Sequence, residues 1–149
     1  MIPSMATLAN NSKGTFDHEI LKRFTAGIEL LGMEVKSVRN GSISLRGAFV
    51  AVRGQETFLI GADIAAYQPK NTPKDYDSRR VRKLLLSKEE IAELKTAEGT
   101  KGLTVIPLSV YNKGRFLKCD IAIVRGKKKY DKRQAIKKRD VERDLKRSL

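Results

Sequence analysis

The chain has 149 residues, enough for one compact domain, and its 31 lysine and arginine residues outnumber 17 aspartate and glutamate residues, for a net charge of +14. Such an excess of positive charge favours a polyanionic partner. The sequence has no apolar run long enough to span a bilayer and no secretory signal pattern, and the single Cys119 cannot form an internal disulfide. We therefore expect a cytoplasmic protein that does not enter a membrane.

The residues that enzymes commonly use are scarce in this chain. His18 is the only histidine, and the motifs CxxC, HExxH, GxSxG and GxxxxGK[ST] are absent from the sequence. Asp17 beside His18 could form an oriented general base, although an isolated surface histidine is the favoured interpretation. The sequence thus predicts no catalytic residue, no metal, no cofactor and no small-molecule substrate.

The N-terminal third contains one clear helix. Residues 1–15 are small and polar without periodicity, which predicts a flexible arm. Residues 16–24 fit either a helix or a strand. Leu31, Val35 and Val38 have helical spacing and precede Gly41, a residue type that often ends helices, so residues 32–40 are predicted to form a short helix.

The middle of the chain alternates strand and turn signals. Two apolar runs at 49–52 and 57–60 flank four turn-forming residues and predict a β-hairpin. Residues 66–80 contain two prolines and predict an exposed loop. Ser87 and Glu90 form an S-x-x-E capping pattern, so a helix should begin there with Ile91 and Leu94 facing inward.

Residues 103–124 carry the clearest strand signal. The aliphatic residues Ile106, Leu108 and Val110 alternate with other residues and are predicted to share one face. Pro107 cannot donate to a ladder and indicates an edge or a bulge. A turn at 112–114 leads to a second alternating strand, in which Cys119 is predicted to be a core residue. Three phenylalanines are also assigned to the core: Phe49, Phe58 and Phe116.

Composition changes abruptly at Gly126. The last 24 residues hold 11 lysine and arginine residues against 4 acidic ones, with few aliphatic residues, so this segment should be disordered alone. The predicted fold class is mostly β: residues 16–125 form a small OB-like β-barrel with short flanking helices, followed by the basic tail at 126–149.

Three basic groups favour contact with a polyanion: residues 34–39, 79–83 and 127–133. Arginine adds bidentate geometry and stacking to the positive charge. Aromatic residues are few, and Tyr111 and Tyr130 are the predicted exposed ones. The absence of the RRM aromatic signature favours recognition of RNA shape and backbone.

The same segments resemble the SsrA-binding protein family, also called small protein B or SmpB. The matching runs are A-G-I at 26–28, G-x-E-V-K-S-x-R-x-G at 32–41, R-V-R-K-L-L-L at 80–86, G-L-T-V-I-P-L at 102–108 and G-K-K-x-Y-D-K-R at 126–133. Members of this family bind transfer-messenger RNA (tmRNA, or SsrA RNA) and deliver it to stalled ribosomes for trans-translation and ribosome rescue. The resemblance implies two partners, the tRNA-like domain of tmRNA and the decoding region and messenger channel of the small ribosomal subunit.

The resemblance also implies which residues bind. RNA contacts from the barrel would come from Glu34, Lys36, Arg39, Arg80, Arg82, Lys83 and Lys118. The ribosome-interacting part of the tail, which becomes helical on the ribosome in this family, would be Gly126, Lys127, Lys128, Tyr130, Asp131, Lys132 and Arg133. A glutamate on an RNA surface could accept a hydrogen bond from the RNA, or hold Lys36 or Arg39 in place.

This chain departs from the family at Thr25, where glutamate is usual, and in the N-terminal segment 11–18, so both regions are expected to contribute less to RNA binding. Two other classes fit parts of the sequence. One is a structural ribosomal protein or general basic RNA-binding OB protein, which would share the size and charge. The other is an RNA-modifying enzyme, which the missing catalytic motifs disfavour.

Overall fold

A computed structural model describes residues 5–68, 70 and 72–126 of the chain. The strands are β1 Met5–Asn10, β2 His18–Ile28, β3 Ile43–Ser44, β4 Phe49–Arg53, β5 Glu56–Ile60, β6 Asp63–Ile64, β7 Arg82–Leu85, β8 Leu103–Lys113 and β9 Phe116–Gly126. The helices are α1 Ser12–Asp17, α2 Gly32–Arg39 and α3 Lys88–Glu98. None of the helices in this part of the chain has the length and apolarity of a membrane span.

Seven strands form one antiparallel sheet in the order β1-β8-β9-β2-β7-β5-β4, and β3 pairs with β6 in a small second sheet. The long sheet curves so that β4 lies against β8, and the residues that alternate inward along its strands form the main core. The predicted fold class, a mostly β barrel with short flanking helices, is confirmed.

Two tight hairpins place side chains at the barrel ends. The pairs Arg53–Glu56 and Lys113–Phe116 each close a two-residue loop that begins with glycine. Gly54 and Gly114 have φ of +65° and +61°, the left-handed conformation that such loops require of their first residue. The predicted β4–β5 hairpin is confirmed, and the second turn occupies residues 114–115, two positions later than the start predicted.

Both predicted helices are confirmed. In α3, the Ser87 hydroxyl accepts from the Glu90 N–H at 3.2 Å, while Glu90 Oε1 accepts from the Ser87 N–H at 3.0 Å, so the capping box forms. Leu94 is fully buried, and Ile91 packs against the main core. The other helix, α2, ends before Gly41, which has φ of +78°.

Pro107 marks a bulge, as its sequence indicated, and this bulge changes which residues face the core. The register between β8 and β9 shifts between Pro107 and Ser109. Val110 therefore faces the main core, whereas Ile106 and Leu108 pack on the opposite side of the sheet in a small second cluster. The prediction that these three aliphatic residues share one face is wrong, because an extra residue in a strand reverses its alternation.

The N-terminal segment is part of the barrel. Residues 1–15 were expected to form a flexible arm, but β1 pairs with β8, and α1 follows it. Asn11, between β1 and α1, is buried and bonds to β8. Its backbone N–H donates to the Leu108 carbonyl oxygen at 2.8 Å, and its Nδ2 donates to the Pro107 carbonyl oxygen at 2.9 Å. The segment thus satisfies backbone groups at the bulge, and the expectation of a loose arm is wrong for residues 5–15.

Some of the residues that the sequence assigned to the core are buried in the structure, and others are exposed. Cys119 is completely buried, and burial raises the pKa of its thiol to about 12, which makes it an unreactive core residue as predicted. Phe58 is half-buried. Phe49 and Phe116 are 44% and 67% exposed, so their assignment to the core is wrong, because both lie at the start of a strand on its outer side.

Candidate nucleic-acid interface

The seven barrel residues that the sequence assigned to RNA binding lie in three different environments. Glu34, Arg80 and Arg82 meet in an interior ionic cluster. Arg39 and Lys118 border one open groove. Lys36 and Lys83 contact other parts of the surface.

The interior cluster is built around one carboxylate. Glu34 Oε2 accepts from Arg80 Nε at 3.0 Å and from Arg82 Nε at 3.1 Å, and both arginines also donate through Nη2. Glu34 Oε1 accepts from the Leu31 N–H at 2.9 Å, which caps the start of α2. The Tyr76 hydroxyl accepts from Arg82 and lies 3.1 Å from Glu34 Oε2. We call these four side chains, Glu34, Tyr76, Arg80 and Arg82, the Glu34 cluster.

Most of the Glu34 cluster is shielded from solvent. The side chains of Glu34 and Arg82 have no exposed area, and that of Arg80 is 31% exposed. Arg82 also donates to the carbonyl oxygens of Ala62 at 2.8 Å and Ser78 at 2.9 Å, so all its donor groups are used inside the protein. The expectation of Glu34 and Arg82 on an exposed RNA-binding surface is therefore wrong for this structure. Glu34 holds Arg80 and Arg82, and neither Lys36 nor Arg39.

The electrostatics of this cluster favour the charged carboxylate. Burial alone would raise the pKa of Glu34, but the hydrogen bonds from Arg80, Leu31 and Arg82 and the positive charge of Arg82 outweigh burial and lower that pKa from 4.5 to about 2. The same surroundings raise the pKa of Tyr76, through burial first and then the neighbouring Glu34 charge. The phenol therefore stays protonated, and the cluster keeps one negative and two positive charges.

This depressed pKa predicts an acid-sensitive fold. Because the folded-state pKa is below the unfolded value of 4.5, the ionised carboxylate stabilises the protein above that pH and loses its effect as pH falls towards about 2. Between about pH 6 and about pH 2.5, Glu34 should account for roughly 2 to 3 kcal/mol of lost stability. Urea unfolding should show that Glu34→Gln removes this part of the pH dependence. If the variant and the natural protein lost the same free energy of unfolding between these pH values, Glu34 would not be the source of the acid sensitivity.

The open groove lies between α2 and the strands β7, β2 and β9. It has a volume of about 660 Å³, and we call it the α2–β9 groove. Its lining includes three cationic and two exposed apolar side chains: Arg39, Arg115, Lys118, Leu85 and Phe116. Gly27 lies opposite both Lys118 and Leu85 in the sheet, and the Leu85 side chain packs over it.

Contacts within the groove hold its cations near the exposed ring. Arg39 Nη2 donates to the Arg115 carbonyl oxygen at 2.8 Å, which ties α2 to the β8–β9 hairpin. The Lys118 ammonium lies 5.9 Å from the centre of the Phe116 ring. An exposed aromatic face beside several cations can stack on a base while the cations bind phosphates.

Sequence reasoning missed Arg115 and Phe116. Both follow Gly114 at the tip of the β8–β9 hairpin, and a glycine-initiated turn between alternating strands is a signal that would place the next residues at an exposed tip. The hydrogen bond between Arg115 and Arg39 of α2 joins segments more than 70 residues apart, and the local sequence pattern gives no sign of it.

The remaining predicted residues are dispersed. The Lys36 ammonium lies 5.8 Å from the centre of the Tyr67 ring, and Lys83 Nζ lies 3.4 Å from Glu56 Oε1. Gly126 is exposed at the end of β9. The other tail residues lie outside the described part of the chain: Lys127, Lys128, Tyr130, Asp131, Lys132 and Arg133.

Residues that could support a metal or acid–base site are not grouped together. Across the described ranges, no cluster of three or more His, Cys, Asp or Glu side chains could hold a metal ion. His18 follows α1, and its Nδ1 lies 2.8 Å from the carbonyl oxygen of Gly14 within that helix, so one ring nitrogen contacts the protein's own backbone.

A small curved β-barrel with a cationic groove and an exposed aromatic ring has the fold and surface chemistry typical of barrel domains that bind nucleic acids. Comparison with known proteins identifies the family within that class. The family model described as "SmpB protein" matches residues 8–149, and the chain belongs to this family. The resemblance stated from the sequence is confirmed.

The relatives and a solved structure agree with this family. SsrA-binding proteins from Chloroflexus aggregans and Coprothermobacter proteolyticus are 46% and 47% identical to the chain, over 97% and 96% of its length and 92% and 96% of theirs. A solved chain is 38% identical, with a TM-score of 0.67 over 85% of this chain and 92% of its own. That structure is described as "tmRNA-SmpB: a journey to the center of the bacterial ribosome".

Proposed function

We propose that this protein is a non-catalytic RNA-binding adaptor that binds the tRNA-like domain of tmRNA through the α2–β9 groove and delivers it to stalled ribosomes. The observation that carries the proposal is membership of the SmpB family over nearly the whole chain, together with a similar solved structure described as tmRNA-SmpB in the ribosome. The groove supplies the chemistry that this role requires, since cations bind the RNA backbone and Phe116 offers a stacking face.

The position of the tail supports a division of labour between two partners. Gly126, where the tail begins, is eight residues along β9 from Lys118 in the groove, a distance of about 26 Å in an extended strand. The groove and the start of the tail therefore lie towards opposite ends of one continuous strand. We propose that the groove holds tmRNA while residues 126–149 contact the decoding region and messenger channel of the small subunit.

This role needs binding and positioning only. In the proposed function, the RNA and the ribosome carry out every chemical step, and the protein acts in the cytoplasm, where ribosomes stall. A structural ribosomal protein would remain on ribosomes through a high-salt wash, whereas the proposed adaptor should dissociate with its RNA, because its groove binds through charge.

The groove should contribute a measurable part of the salt dependence of binding. Replacing Arg39 and Lys118 together by alanine should weaken binding to a transcript of the tRNA-like domain and reduce the slope of log affinity against log salt by about 1.4 to 1.8, since each lost phosphate contact contributes about 0.7 to 0.9. Affinity measured by filter binding over a range of salt concentrations gives this slope.

A matched control separates the groove from total charge. Lys22 and Arg53 are also exposed cations, but each pairs with a glutamate of α3, namely Glu93 and Glu98. Replacing both by alanine removes the same charge outside the groove and should leave the slope nearly unchanged. Equal losses from the two double variants would show that the groove is not the binding site. The pair Arg80 and Arg82 is unsuitable for this test, because its loss would also disturb the Glu34 cluster.

A further inference from the structure

Three hydrogen-bonded side chains lie on the outer face of the sheet beside the groove. The Thr25 hydroxyl donates to Asp120 Oδ1 at 3.0 Å, and the Tyr111 hydroxyl donates to the same oxygen at 2.9 Å. Thr25 faces Asp120 directly across β2 and β9, and Tyr111 faces Lys118 across β8 and β9. Lys118 and Asp120 are two residues apart on one strand, so they point to the same side about 7 Å apart.

The Asp120 carboxylate is held in place but is not neutralised. Both donors use Oδ1, and among the described residues no hydrogen bond or ion pair reaches Oδ2. Glu34, by contrast, has both oxygens engaged by arginines or backbone. Burial raises the pKa of Tyr111, and Asp120 acts in the same direction, so the phenol remains a donor at neutral pH.

An ionised carboxylate in this position has a definite effect on a bound nucleic acid. It repels a phosphate, which is therefore directed to the neighbouring Lys118. It attracts an N–H or O–H donor, and a hydrogen bond to an ionised acceptor is among the stronger ones. Because Thr25 and Tyr111 already fix the side chain, little conformational entropy is lost when a donor binds.

We propose that Asp120 is a specificity-determining residue of the RNA-binding surface, whose Oδ2 accepts a hydrogen bond from a nucleotide bound beside Lys118. The donor is a ribose 2′-hydroxyl or an exocyclic amino group of a base. The proposal rests on the proposed function, since it requires RNA on this face of the sheet. Thr25 and Tyr111 are positioning residues that act through Asp120.

The decisive variant is Asp120→Asn, which preserves size and shape. If Thr25 and Tyr111 keep donating to the amide oxygen, an NH₂ group takes the position of Oδ2 and opposes the nucleotide donor. Affinity for the tRNA-like transcript should then fall by at least about tenfold, because a charge-assisted hydrogen bond is lost. The salt slope should stay unchanged, because no phosphate contact is removed. A carboxylate that only repels RNA predicts the opposite sign, since its neutralisation would raise affinity.

Two further sets of variants complete the test. Glu89→Gln neutralises an exposed carboxylate of α3, which does not line the groove, and should not lower affinity. Thr25→Val and Tyr111→Phe each remove one positioning hydrogen bond while keeping the carboxylate, so each should give a smaller loss than Asp120→Asn. Circular dichroism on each protein establishes that the barrel is folded.

Modified RNAs then identify the donor. Transcripts with single 2′-deoxy nucleotides test the ribose hydroxyl, and transcripts with bases that lack the exocyclic amino group test the base. The modification that removes the true donor should weaken binding to the natural protein, and the natural and Asp120→Asn proteins should then bind that transcript with equal affinity. Tighter or equal binding of RNA by Asp120→Asn overturns the proposal. The proposal is also overturned if Asp120→Asn binds more weakly but the affinity difference between the two proteins persists with every modified transcript. Failure of the natural protein to bind the transcript would instead overturn the proposed function.

Discussion

Glu34→Ala should lower the free energy of unfolding by about 3 to 5 kcal/mol, because it leaves the fully buried Arg82 guanidinium without its counter-charge. The remaining acceptors of Arg82 are neutral: the carbonyl oxygens of Ala62 and Ser78 and the Tyr76 hydroxyl. Hydrogen bonds to neutral groups do not offset the cost of keeping a charge out of water. Urea unfolding of the natural and variant proteins at neutral pH gives the difference.

The matched control is an exposed ion pair. Glu93 pairs with Lys22 at the surface, where both side chains are about half exposed, so Glu93→Ala should cost less than about 1 kcal/mol. Tyr76→Phe removes one hydroxyl from the Glu34 cluster and should give an intermediate loss of about 1 kcal/mol. Similar losses for Glu34→Ala and Glu93→Ala would contradict the view that the buried cluster stabilises the fold.

The Glu34 cluster also affects how RNA-binding variants are interpreted. Glu34 and Arg39 are on the same helix, α2, and Arg82 is on β7, whose Leu85 lines the groove. Breaking the cluster would therefore loosen α2 from β7 and displace groove residues that remain chemically intact. We therefore expect a Glu34 variant to bind RNA less tightly even without a direct contact between Glu34 and RNA.

Elements with a local physical cause were predictable from the sequence. The capping box of Ser87 and Glu90, the Gly41 end of α2 and the apolar runs of β4 and β5 depend on residues within a few positions of one another. Pro107 indicated a bulge because it lacks an N–H to donate. Each of these features appears at its expected place to within about two residues.

Features that depend on distant partners were not predictable in this way. β1 is a strand because its backbone pairs with β8 about 100 residues later, and its short apolar pattern gives no sign of that pairing. The hydrogen bond from Arg39 to the Arg115 carbonyl oxygen, which closes one end of the groove beside Phe116, joins residues 76 apart. These relations are set by the closure of the barrel.

The alternation of residues in β7 weakly indicated that Arg82 is buried, but the neighbouring basic residues suggested an exposed segment instead. Arg82 and Leu84 are alternate residues of β7, so a buried Leu84 places Arg82 on the core side and Lys83 on the outer side. Four basic residues in five made the whole segment resemble one exposed patch. Only the partner carboxylate, 48 residues earlier in the chain, explains why an arginine can remain inside.

Ending the chain after Arg125 should abolish the tagging of stalled ribosomes while leaving binding of the tRNA-like domain within a few-fold of the natural value. The truncation leaves every residue of the α2–β9 groove and of the Glu34 cluster in place. The removed residues 126–149 carry half the net charge and begin about 26 Å from the groove along β9. The measurements are RNA affinity and tagging in a translation system stalled at the end of a message.

The Arg39 and Lys118 double variant is the reciprocal control, since it keeps the tail and weakens the groove. Its tagging defect arises from reduced RNA occupancy, so a sufficient excess of tmRNA should restore tagging by mass action. The truncated protein is already saturated with RNA under the same conditions and should remain inactive at every RNA concentration. Tagging by the truncated protein at the full-length rate would show that the tail has no role, and loss of RNA binding on truncation would show that the tail is part of the RNA site.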